Sequence, residues 1–117
     1  MKSDPLVMLN VIAQTIFDKK GTNILALDVR RISSITDYVI IAEGTVDRHV
    51  KAIAQAIRSS LKGQASGRVE GEQEGDWVVL DFGNVMVHLF APRVRDLYQL
   101  EDLFKAGEIV DLKIEVG

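Results

Sequence analysis

Apolar residues recur at helical spacing in three stretches of this chain, and between them they alternate with polar residues or run together. Asp4-Pro5 sets a preferred capping residue before a proline at the first helical position. Leu6, Leu9, Ala13, Ile16 and Phe17 continue at intervals that predict a helix, with Gly21 as its stop after Lys19-Lys20. Ile24 to Val29 reads as a strand, followed by a basic turn at Arg30-Arg31. Asp37 to Ala42 is almost unbroken in apolar character, which predicts a second strand in a central position. Gly44 then leads into a second helix, capped by Thr45 or Asp47. Its buried stripe is Val50, Ile53, Ala54, Ile57 and Leu61, and its other side is Arg48, Lys51, Gln55 and Arg58.

Residues 63–67 form a small polar loop, and Val69 begins a short strand or arm that ends in the acidic stretch 70–76. Trp77 to Phe90 reads as a β-hairpin around Gly83-Asn84, because glycine takes the positive φ that such a turn needs at its first central position. In that register Phe82 faces Val85, Leu80 faces Val87 and Val78 faces Leu89, and these six share one apolar face. The reverse face carries Trp77, Val79 and Asp81 across from Phe90, His88 and Met86. An aromatic ring, a carboxylate and an imidazole on one half-buried sheet face suggest recognition. The same pattern also fits a tryptophan packed beneath a helix with Asp and His beside it. Pro92 closes the hairpin. A third helix is predicted from about Val94 to Ala106, with Leu97, Leu100, Leu103 and Phe104 turned inward and Gly107 as its stop. Ile109 to Val116 alternates cleanly and is predicted to be an edge strand. The element order implies an α/β sandwich around a mixed sheet of about five strands.

Composition narrows the functional classes. At 117 residues the chain fits one domain with a real core, and 47% apolar residues argue against disorder. With no cysteine, thiolate metal sites and disulfides are excluded. The apolar run from Leu6 to Phe17 is too short to span a membrane and lacks the features of a signal peptide, so the chain reads as cytosolic. Residues 1–68 hold ten Lys/Arg against six Asp/Glu, whereas residues 69–117 hold four against eleven. The second half would repel phosphates, so a basic protein suits it better as a partner than nucleic acid does.

Catalytic chemistry finds little support. The Gly44-Thr45 turn, with Arg48 and His49 in the following helical turn, has the donors for an anion. A capped, solvated helix start explains it better, and no glycine-rich dinucleotide or phosphate-loop motif is present. His49 and His88 lack metal-ligand spacing. Asp28, Asp37 and Asp81 fall at strand ends, yet no Asp-x-Asp pair offers two carboxylates from one strand. No catalytic residue, cofactor or metal is expected.

Several segments together resemble the ribosome silencing factor family, RsfS, also called Iojap. They are Asp37-Tyr-Val-Ile-Ile-Ala-Glu-Gly-Thr, Asp47-Arg-His-Val-Lys-Ala-Ile-Ala, Glu70-Gly, Gly75-Asp-Trp-Val-Val-Leu-Asp-Phe-Gly, Val85-Met-Val-His-Leu-Phe and Arg95-Asp-Leu-Tyr-Gln-Leu-Glu. The resemblance implies a nucleotidyltransferase-like fold without the catalytic carboxylates. It implies a protein that binds the large ribosomal subunit through universal large-subunit ribosomal protein fourteen, blocks small-subunit association and represses translation. It also implies homodimers when free. Asn84 stands where the family usually has Asp, Phe104 where it usually has Trp, and residues 105–117 match poorly. The partner-binding residues expected are Trp77, Asp81, His88, Tyr98 and Glu101. The last two are spaced to share one helix face, although Tyr98 fits the core equally well. The alternative is a nucleotide-binding enzyme or degenerate nucleotidyltransferase using the Gly44 turn.

Overall fold

The computed structural model describes residues 4–61, 68–71, 73–98 and 107–116, with the backbone alone at residues 68 and 96–98. The elements run α1 (Pro5–Asp18), β1 (Thr22–Asp28), β2 (Tyr38–Glu43), α2 (Asp47–Ser60), β3 (Arg68–Glu70), β4 (Trp77–Asp81), β5 (Val85–Phe90), α3 (Pro92–Tyr98) and β6 (Glu108–Ile109). Among the described residues the strands form one mixed sheet of six rather than about five, in the order β3-β4-β5-β2-β1-β6. Only the β2–β5 pairing among the described residues is parallel. The near-continuous apolar run of β2 therefore lies in the sheet interior, as expected.

Alternation along the strands divides the interior in two. Ala26, Tyr38, Ile40, Ala42, Val78, Leu80, Val85, Val87 and Leu89 point to one side, where α1 and α2 cover them. Leu27, Val29, Val39, Ile41 and Phe90 point to the other side, where Val94 of α3 packs against them. Burying each Leu, Ile or Val of these layers contributes roughly 1.5–3 kcal/mol. The hairpin has the predicted register, with Phe82 N–H donating to the Val85 carbonyl at 2.9 Å. Gly83 takes φ +86° in its turn, a conformation that favours glycine.

The α2 stripe is buried as predicted, whereas that of α1 is rotated. Met8, Leu9, Ile12, Ala13 and Ile16 are buried, while Leu6 and Phe17 are exposed. This helix is apolar nearly all round, so spacing alone leaves its buried face ambiguous. Asp4 caps it as expected, accepting from Leu6 N–H at 2.9 Å. At its end the left-handed residue is Lys20, at φ 69°. Gly21 is needed for another reason: a Cβ there would run into the Ile16 side chain.

Three further expectations change. Neither Thr45 nor Asp47 caps α2; Val46 holds the cap position and gives no side-chain bond. The third helix begins at Pro92, where the missing N–H costs a helix nothing. The alternating C-terminal stretch is not an edge strand throughout. Glu108 and Ile109 pair with β1, and Val110 N–H donates to the Ala26 carbonyl at 2.9 Å. Beyond them the chain crosses α1, where Lys113 N–H donates to Asn10 Oδ1 at 2.8 Å and Glu115 N–H to Gln14 Oε1 at 2.7 Å. Val110, Leu112 and Ile114 still turn toward the core. Alternation specifies an extended chain with one apolar edge, and here side-chain amides on a helix stand in for a neighbouring strand. The loop 63–67 and the predicted helix from Leu100 through Leu103 and Phe104 to Ala106 lie outside the described residues. Among the described residues, no helix is long and apolar enough to cross a membrane.

Candidate partner-docking site

The reverse face of the β4–β5 hairpin is set by alternation. Trp77, Val79 and Asp81 stand opposite Phe90, His88 and Met86 on the side away from α1 and α2. Phe90 is fully buried, whereas Trp77, Val79, Asp81 and Met86 are half-buried. Those four form a strip along the hairpin that is mostly apolar, with an aromatic residue at one end and a carboxylate at the other.

Trp77 is held by its neighbours. Its ring lies 5.5 Å from that of Phe90 and 6.2 Å from that of His88, tilted 40° to both. Its indole N–H donates to His88 Nδ1 at 3.2 Å. His88 is only 8% exposed, and burial pushes its imidazole down to about 4. At neutral pH the ring is therefore uncharged, and with Nδ1 accepting, its proton sits on Nε2. This histidine lies beneath the face and fixes the indole; it adds no positive charge to the surface.

Asp81 has a local task as well, accepting from Gly83 N–H at 2.8 Å and bracing the hairpin turn. Asp28, at the end of β1, is engaged by Arg30 at 2.7 Å, which holds its carboxyl below the usual carboxylate range. Among the described residues no three His, Asp or Glu side chains converge on a possible metal position. Tyr98 is the last described residue of α3 and its side chain lies outside the described part, as does the whole of Glu101. The structure thus brings Trp77 and His88 into contact, with His88 below the surface, and places Asp81 at the far end of the same strip.

The Gly44 turn opens on a groove of about 780 Å³, lined among others by Thr45, Val46, Arg48, Ala91 and Arg93. The turn satisfies part of its own bonding. Thr45 N–H donates to His49 Nδ1 at 2.8 Å, and His49 Nε2 lies 2.6 Å from the Lys19 carbonyl. His49 ties the start of α2 to the end of α1, a structural role that pattern reading missed. A second omission is Arg95 of α3. Its guanidinium reaches Glu43 at 2.9 Å and the Asn23 carbonyl at 2.8 Å, and the paired side chains are only 9% and 12% exposed. The one signal available was a carboxylate, Glu43, closing an otherwise buried strand.

Residues 2–116 match the family described as "Ribosomal silencing factor during starvation", RsfS. The chain belongs to the RsfS family. It is 37% identical over 107 residues to the ribosomal silencing factor RsfS of Bacillus subtilis, covering 90% of this chain and 91% of that one. A crystal structure of a Chromobacterium violaceum protein superposes with a TM-score of 0.85 at 31% identity, covering 98% of this chain and 95% of that one. A more distant relative is the mouse protein named "Mitochondrial assembly of ribosomal large subunit protein 1". It is 27% identical over 114 residues, covering 93% of this chain and 50% of the mouse protein. The RsfS match includes the hairpin with Trp77, Asp81 and His88.

Proposed function

We propose that this silencing factor acts by occupying the large ribosomal subunit. The half-buried strip of Trp77, Val79, Asp81 and Met86 docks on the universal large-subunit ribosomal protein fourteen, with Tyr98 and Glu101 extending the contact. The small subunit is then excluded from its joining surface, and translation falls. Occupancy of a surface suffices, so the reading needs no turnover, cofactor or metal, and it places the protein in the cytoplasm.

Membership of the RsfS family over nearly the whole chain carries this reading. The face fits a protein partner on physical grounds. It is built on rigid strands, it has an aromatic anchor of the kind that dominates interface energies, and its charge is acidic. His88 stays neutral and so does not offset that charge. The acidic half also makes direct contact with nucleic acid unfavourable. Apart from the ribosome, the protein pairs as a homodimer.

Sedimentation with isolated subunits tests the reading. Added in excess before the subunits are mixed, the protein lowers the yield of joined ribosomes and travels with the large subunit. Its recovery on the small subunit, or only on joined particles, overturns the proposal.

A further inference from the structure

α3 lies on the same side of the sheet as Trp77, and Val94 anchors it in the small core that also receives Trp77. Among the described residues, Val94 is the α3 side chain that enters this core. Arg93 makes long, exposed ion pairs with Asp76 at 3.8 Å and Asp47 at 3.9 Å, whereas the nearly buried Arg95 guanidinium ties α3 to the end of β2 through Glu43 and to the start of β1 through the Asn23 carbonyl. The sequence arranges the last of these contacts unusually. Asn23 takes φ 51°, a left-handed conformation that asparagine tolerates better than most residues. The β1–β2 register shifts between Thr22 and Leu25 at this point. Irregularities of this kind re-aim a group out of the ladder, and here the Asn23 carbonyl accepts from Arg95.

We propose that Arg95, clamped between Glu43 and the bulged Asn23, is the positioning residue that holds α3 against the Trp77 face and so sets the shape of the docking surface. The proposal deepens the docking reading and rests on it for the ribosomal part alone. A nearly buried ion pair seldom adds net stability over well-packed apolar residues, because desolvating both charges offsets their attraction. What it supplies is direction. Its donor and acceptors must meet at fixed angles, whereas an apolar contact tolerates sliding.

Trp77 is the only tryptophan, so its fluorescence reports on this corner without labelling. The decisive variant is the double substitution Glu43→Leu with Arg95→Met, which removes both charges and leaves apolar volume behind. Three results are expected together. Melting stays within a few degrees of the parent, Trp77 emission moves to longer wavelength as α3 loosens, and affinity for isolated large subunits falls about tenfold. A folded double variant with the parent's emission and affinity overturns the proposal.

Should that variant fail to fold, Glu43→Gln with native-state amide exchange decides the matter. Exchange that accelerates at 94–98 while the amides of α2 keep their protection supports positioning. Acceleration shared equally by all elements means the pair is merely structural, and overturns it. If the parent itself does not bind large subunits, the docking reading falls, and emission and exchange still decide whether Arg95 sets α3.

Discussion

Lowering the pH should weaken this protein through His88 before its carboxylates matter. In the folded state the imidazole is pushed down to about 4, against 6.5 for the free group, because burial disfavours its charged form. The unfolded chain therefore takes up a proton that the folded chain refuses. Above pH 6.5 neither state is protonated and stability is complete. It then falls as pH drops from 6.5 toward 4, and below 4 both states carry the proton and this loss ends. The linkage amounts to about 1.5 kcal/mol at pH 5.5 and about 2.5 kcal/mol at pH 4.5. For a domain of this size that is a fall in melting temperature of roughly 4–8 °C at pH 5.5. The assay is thermal or urea unfolding from pH 7.5 to 4.5 on the parent and on His88→Gln, whose amide oxygen can still accept from the Trp77 indole. Asp28, held low by Arg30, loses its contribution only at more acid pH. The difference between the two proteins thus isolates His88. If both lose stability in parallel over this range, burial of the imidazole is not the cause and the assignment of a neutral ring under Trp77 is wrong.

Other expectations follow from the same geometry. Trp77→Ala should weaken binding to the large subunit by about 2–4 kcal/mol. Because the ring also packs on Phe90, a smaller loss of melting temperature should accompany it; a collapsed fold would instead make Trp77 a core residue. Asp81→Asn keeps an oxygen for Gly83 N–H and removes the charge, as Glu101→Gln does, so each should lower affinity and flatten its salt dependence, while Arg58→Gln should do neither. A larger loss from Arg58 would move the interface to the basic half of the molecule. Asn10→Ala and Gln14→Ala should each cost about 0.5–1.5 kcal/mol and speed amide exchange at Lys113 and Glu115; unchanged protection there would refute the clasp between α1 and the C-terminal segment.

Much of this fold was legible because its patterns are local. The hairpin register followed from Gly83 and the alternation on either side of it, and the central strand from its apolar run. What could not be read depended on partners far away in the chain. The buried face of α1 is ambiguous because nearly every side of it is apolar, and the choice is made by what it packs against. The stretch after Val110 has the period of a strand, yet the N–H groups of Lys113 and Glu115 go to side chains about a hundred residues earlier. His49 and Arg95 look like surface charges in sequence, and only the tertiary structure gives them the Lys19, Glu43 and Asn23 partners that draw them in. At the candidate site, alternation placed Trp77, Asp81 and His88 on one face but could not show that His88 lies below it.

The contacts from Asn10 to Lys113 and from Gln14 to Glu115 also order events in time. The parallel pairing of β2 with β5 needs only the middle of the chain, whereas the outer surface of α1 cannot be finished until a segment about a hundred residues downstream has been made. Pairings that close such long loops form slowly, and the apolar surface they will cover stays open meanwhile. Val110, Leu112 and Ile114, which pack against the core, belong to this distant segment. In pulse-labelled refolding, the amides of Lys113 and Glu115 should accordingly be the last to gain protection.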